Sequence, residues 1–224
     1  MFKKLVLALL LGFSINGIYC QTINHPNYGL KSHPTLNIES VVLSLSSTQL
    51  FMVIENQSLD GTFCADKKIF LILPDGERLK IAETDGIPRC PETHIFQTYG
   101  EKLYFSLKFD AIPAGTQWFD IIEDCDNACF SFNSVILDGG LNQRIDHAYT
   151  LTESKKPEEA CKEFEKLLDD FSGKKCSYEG AIYWNLVHLT KLMGDDKKSA
   201  EWLDILKNSD VPMKERFLEN LRKN

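Results

Sequence analysis

Near residue 138 the apolar residues change from a period of two to the helical period of about 3.6, so the chain has to build two halves of different kind. From about 35 to 137 the stretches 37-NIESVVLSLS-46, 49-QLFMVIEN-56, 68-KIFLILP-74, 77-ERLKIAE-83, 101-EKLYFSLKF-109, 117-QWFDII-122 and 129-CFSFNSVIL-137 read as strands. Turn signals such as Pro74-Asp75-Gly76 and Pro113-Ala114-Gly115 separate them. Short strands with regular punctuation predict an antiparallel β-sandwich over 35–138. Leu103, Phe105, Leu107 and Phe109 share one face, which belongs in the core, while Lys102, Tyr104, Ser106 and Lys108 look outward. Pro74-Asp75-Gly76 is expected to close a hairpin between its flanking strands.

From 139 to 224 the pattern is helical. Pro157 suits a first helical turn, with Ser154 just before it and Glu158 and Glu159 favouring the dipole. Ala160, Phe164, Leu167, Leu168 and Phe171 then fall on one face. Further helices are predicted over 179–194, ending at Gly194, over 197–208 and over 212–223. Residues 145–168 and 182–208 both read as helix, charged turn, helix, with Ala160 and Ala200 in similar places. This resembles tetratricopeptide repeats, in which a small residue lets paired helices approach. It departs from that family because no Gly-Tyr pair marks the first turn and the period is nearer forty. Two units are too few for a free solenoid, so the helices are expected to pack on the sandwich or on one another.

The first residues carry a targeting signal. Lys3 and Lys4 precede the apolar run 5-LVLALLLGF-13, which is too short to span a bilayer, and polar residues follow. The reading is an export signal over 1–20, a mobile N-terminal arm over 21–34, and a periplasmic, surface or extracellular destination with no transmembrane segment. Cys20, directly after the signal, suggests a lipid anchor, but Tyr19 stands where a lipoprotein signal wants a small residue. Without Cys20 an even set remains: Cys64, Cys90, Cys125, Cys129, Cys161 and Cys176. In an oxidising compartment such a set reads first as disulfides. Sequence does not choose among the pairings. Local pairing gives Cys64–Cys90, Cys125–Cys129 and Cys161–Cys176. The last is the weakest, because a helix starting near Pro157 carries the chain away from Cys161.

The stretches 63-FCADKKIFLILPDG-76, 85-DGIPRC-90 and 111-AIPAGTQWFDIIEDCDNACFSF-132 are similar to segments of uncharacterised exported proteins of the Bacteroidetes. Those proteins have an immunoglobulin-like domain followed by a tetratricopeptide-like helical tail. The resemblance covers most of the chain after the signal and implies an α+β fold of that kind. It implies no activity.

Sites of chemistry are few. In 121-IIEDCDNACFSF-132 the spacing is Cys-x-x-x-Cys, not the Cys-x-x-Cys that opens a helix in dithiol enzymes. Asp124 and Asp126 flank Cys125, and nearby anions raise a thiol pKa. The pair therefore reads as a structural clip between two strands, with thiol-redox or soft-metal chemistry as the alternative. Asp120, Glu123, Asp124 and Asp126 read as a solvated acidic turn, since no EF-hand loop is present. His25, His33, His94, His147 and His188 show no zinc-ligand spacing. Neither hydrolase elbows nor phosphate loops occur. The net charge of −7, with no dense basic block, argues against nucleic acid. Tyr183, Trp184 and Trp202 are candidates for a contact surface, set against simple packing between helices. The expectation is a non-enzymatic exported protein without cofactor or metal, binding another protein through its helical half. A carbohydrate-binding sandwich would need a row of aromatics on one exposed sheet face, which these strands do not clearly supply.

Overall fold

The computed structural model describes residues 20–126 and 128–223; the expected signal, residues 1–20, lies outside them but for Cys20. The chain is α+β. Twelve strands come first: β1 (Gln21–Asn24), β2 (Leu30–Lys31), β3 (Leu36–Leu43), β4 (Ser47–Glu55), β5 (Thr62–Phe63), β6 (Ile69–Ile72), β7 (Arg78–Lys80), β8 (Glu83–Asp85), β9 (His94–Ile95), β10 (Lys102–Asp110), β11 (Trp118–Glu123) and β12 (Ser131–Ile136). Five helices follow: α1 (Gly139–Glu153), α2 (Pro157–Phe171), α3 (Tyr178–Leu192), α4 (Asp196–Asn208) and α5 (Lys214–Lys223).

The strands form a sheet of order β1-β3-β4-β10-β8, a second of order β2-β12-β11-β6-β7, and a short β5-β9 ribbon. Every pairing between these strands is antiparallel. Alternation along β10 sends Phe105, Leu107 and Phe109 into the core, where they meet Phe119, Ile121 and Phe132 of the second sheet. Tyr104 on the other parity is exposed. The β6–β7 hairpin turns at Pro74-Asp75-Gly76, with Gly76 at φ 90°, a conformation that suits glycine.

Residues 21–34, expected to be a mobile arm, are instead built into both sheets. β1 adds to β3 over four residue pairs, and β2 adds to β12. The arm contains no long alternating run, and two short edge strands leave no period to read.

The helical half repeats. α1 and α3 start at residues 139 and 178, α2 and α4 at 157 and 196, 39 residues apart in each case. Asp138 and Asp195 cap α1 and α4, accepting from Leu141 N at 2.7 Å and Lys198 N at 3.0 Å. Gly194, at φ 77°, follows the last residues of α3 as expected. The match of Ala160 with Ala200 is off by one residue. Ala160 is the fourth residue of α2 and is buried, whereas the fourth residue of α4 is the buried Ser199 and Ala200 is exposed. Ser199 Oγ donates to Val187 O of α3 at 3.1 Å, so the small residue at the contact also makes a hydrogen bond.

The halves share their packing. Trp118 and Ile136 of the second sheet belong to the core of α1, α2 and α3, and Leu30 belongs to the core beneath α5. Asn142 Nδ2 donates to Ile136 O at 2.9 Å, while Asn142 Oδ1 accepts from Asn27 N at 2.8 Å. The helices therefore sit on the outer face of the second sheet. No described helix is long and apolar enough to cross a membrane.

Candidate functional site

β12 runs from the β11–β12 turn toward α1, so this turn lies at the end of the sandwich away from the point where α1 begins. Three connections gather there: residues 56–68 after β4, residues 86–101 after β8, and the β11–β12 turn. Cys64–Cys90 joins the first two, and Cys125–Cys129 clips the third. Around the first bridge Ala65 N donates to Pro88 O and Cys90 N to Ala65 O, each at 3.0 Å.

Buried side chains complete the tie. Glu123, on the core parity of β11, accepts from Asp66 N at 2.8 Å through Oε1 and from Phe130 N at 3.1 Å through Oε2. It thereby adds to the Asp124 N to Lys68 O hydrogen bond, 2.8 Å, that already joins these two loops. Burial pushes its pKa up; the two N–H donors oppose that and the Asp66 charge adds to it. Asn56 Nδ2 donates to Ser58 O and Thr98 O, both at 2.8 Å, closing the 56–61 turn against 95–100. Glu101 accepts from the backbone N of Gln97 (2.6 Å) and Thr98 (3.2 Å) and lies 3.2 Å from His94 Nε2. The Gln97 N–H is the main cause that holds its carboxyl below the usual range, with burial opposing. Phe63 sits between His33 and Phe130, with centroids at 6.0 and 6.3 Å.

The lobe so tied carries large apolar side chains in water. Leu59 is 85%, Ile95 60% and Tyr99 67% exposed. A cavity of about 310 Å³ lies at the loop tie, lined by Cys64, Cys90 and Cys125 of the two disulfides and by Asp66 and Glu123. Glu101, Asn56 and these three apolar residues were not singled out by sequence reasoning. Isolated exposed residues carry no sequence signal, and an asparagine that ends a strand is too common to mark a clamp.

The acidic turn expected at 120–126 divides. Asp124 and Asp126 are solvated, but Glu123 is buried at the loop tie and Asp120 faces the helices. Period two along Trp118–Glu123 already puts Phe119, Ile121 and Glu123 on one side, so the signal was present in the register.

The third expected bridge is absent. Cys161 and Cys176 are free and buried. Cys161 lies near the start of α2, about 15 Å of helix before its end at Phe171, so a bridge to Cys176 would require the loop after α2 to turn fully back along the helix. Burial, the largest cause in each, pushes the thiols up to about 11 and about 12.

The helical aromatics turn inward. Tyr183 is buried against Trp202, and its hydroxyl donates to Glu179 Oε1 at 3.1 Å. Trp184 is half-buried and stacks on His188 at 4.5 Å, and the indole N–H groups of Trp184 and Trp202 are both enclosed. The expected surface is therefore chiefly an interhelical contact. On the outer face of the first sheet, Phe51 and Tyr104 are exposed on neighbouring strands, two aromatics rather than a row. Among the described residues no three His, Cys, Asp or Glu side chains come together as metal ligands. Comparison with protein-family models, curated proteins and solved structures finds no match to this chain.

Proposed function

We propose that this chain is an exported, non-enzymatic interaction protein, periplasmic or at the cell surface, and that the disulfide-tied distal lobe is its contact surface for another protein. The observation that carries this reading is the pairing of rigidity with exposure. Leu59, Ile95 and Tyr99 stand in water on a lobe held by a disulfide, the Asn56 clamp and the Glu101 clamp. Exposed apolar groups on a pre-ordered lobe bind with little ordering cost. The helical aromatics first expected in this role are largely occupied by packing.

The finer fold reading belongs with it. The order β3-β4-β10-β8 against β12-β11-β6 follows that of the immunoglobulin constant sandwich, whose end loops serve recognition in variable domains. The 39-residue spacing of helix pairs supports a helical half built by repetition, here a support for the sandwich, with a period longer than the roughly 34 residues of tetratricopeptide repeats.

The rival reading, thiol exchange at Cys125 and Cys129, has in its favour the cavity that both disulfides line. Against it stand Glu123 Oε2, 4.0 Å from Cys125 Sγ, and the solvated Asp124 and Asp126, which disfavour a thiolate. A photoreactive side chain at Ile95 or Tyr99, expressed in the native host, should give a discrete protein adduct. The same group at Leu192, 75% exposed on the helical half, should not. Adducts from Leu192 alone would reject the lobe as the contact surface.

A further inference from the structure

A shallow groove of about 390 Å³ opens on the outer face of the first sheet. Its floor follows one row across four strands. Asp85 of β8 stands opposite Ser106 of β10, Ser106 opposite Phe51 of β4, and Phe51 opposite Ser40 of β3. The register of β3 slips between Ile38 and Ser40, so Glu39 is the extra residue at that end of the row. Tyr104, two residues before Ser106, lies diagonally across from Phe51. Phe51 is 39% and Tyr104 63% exposed. Two rings therefore stand in water along the groove, with Asp85 at one end and Glu39 at the other.

The charge of this groove has one sign. Among the described residues neither the Glu39 nor the Asp85 carboxylate has a hydrogen-bond or ion-pair partner. No Lys, Arg or His is among the described residues that line it. The two cations on the outward parity of β10 flank the groove and are already paired. Lys102 Nζ lies 3.5 Å from Glu55, and Lys108 Nζ lies 2.9 Å from Glu83. Ser106 and Tyr104 supply hydroxyls but no charge, and Gln49 Nε2 already donates to Ser106 Oγ at 3.1 Å. Exposed ring faces attract a cation, and open carboxylates accept from its N–H groups.

We propose that this groove receives an arginine side chain of a partner polypeptide. The guanidinium lies over Phe51 and Tyr104 and donates to the carboxylates of Asp85 and Glu39. The Cα atoms of those acids are three strand spacings apart, about 14 Å, which leaves room between their side chains for one planar fork. Arginine suits the groove better than lysine. The groove is open to water on one side, and a guanidinium is weakly hydrated and stacks on rings, whereas an ammonium holds its water shell. A quaternary ammonium would leave both carboxylates without a donor, and a neutral sugar would leave both charges uncompensated. None of Leu59, Ile95 and Tyr99 lines the groove, so this contact does not depend on the distal lobe.

The test is a titration of the full chain with the peptide acetyl-Gly-Arg-Gly-amide at low ionic strength, followed by the ring NMR signals of Tyr104. The citrulline version of the peptide keeps the shape without the charge, the lysine version keeps the charge without the plane, and cellobiose serves as a neutral sugar. The expected result is a saturable shift with the arginine peptide. Binding should be weaker by roughly fivefold or more for the citrulline peptide and cellobiose, and by roughly threefold for the lysine peptide and in Asp85→Asn. No saturable shift, equal binding of any comparator, or undiminished binding in Asp85→Asn would overturn the proposal. Should Asp85→Asn not fold, the comparison of the arginine and citrulline peptides on the unaltered chain decides the matter.

Discussion

Glu123 commits each carboxylate oxygen to a different loop, one to Asp66 N and one to Phe130 N. In Glu123→Gln one of those oxygens becomes an NH₂ facing an N–H, so a buried donor loses its acceptor. The expected loss is about 1–3 kcal/mol in urea denaturation. The role was legible from strand parity, but the partners were not, because they come from loops whose fold has no period. Asp120 behaves differently, since its folded pKa is raised above the ordinary 3.8, chiefly by burial. Below 3.8 both folded and unfolded chains hold the proton. As pH rises, the unfolded chain gives it up first, so this group's stabilising contribution is lost through the raised folded value. Unfolding measured from acid toward neutral pH should show the unaltered chain losing stability relative to Asp120→Asn. A flat difference between the two would contradict the assignment.

The two bridges close loops of different length. Cys64 and Cys90 are 26 residues apart and Cys125 and Cys129 are 4 apart. Loop-closure entropy then expects removal by paired Ser substitution to cost about 3.5 kcal/mol for the first and about 2 kcal/mol for the second. Chemical denaturation of the two double variants checks that order. On the helical side, a methyl group at Gly180 would collide with the Phe217 ring. Gly180→Ala should push α5 off α3 and cost about 1–3 kcal/mol, with limited proteolysis starting in α5. The long elements were readable because seven alternating runs and the 3.6-residue faces extend over enough residues to show a period. β1, β2, β5, β8 and β9, of two to four residues each, do not. The Ala160–Ala200 match failed for a related reason: the helix starts set the register, and Asp195, not a composition match, marks the start of α4.

At the scale of the molecule the halves are one body, since Trp118, Ile136 and Leu30 leave the sandwich core to pack with helices. Sequence showed where the pattern changes at 138 but not this sharing, because Trp118 and Ile136 lie on the strand face that an isolated sandwich would leave to water. The same division explains the cysteines. Those of the sandwich tie the exposed lobe, and those of the helices fill its support. The whole scheme rests on that division, and cysteine mapping by mass spectrometry, with alkylation before and after denaturation and then after reduction, tests it most directly. Cys161 and Cys176 should be alkylated only once the chain is denatured, and Cys64, Cys90, Cys125 and Cys129 only after reduction. Alkylation of Cys125 or Cys129 in the native, unreduced chain, or a bridge between Cys161 and Cys176, would contradict it.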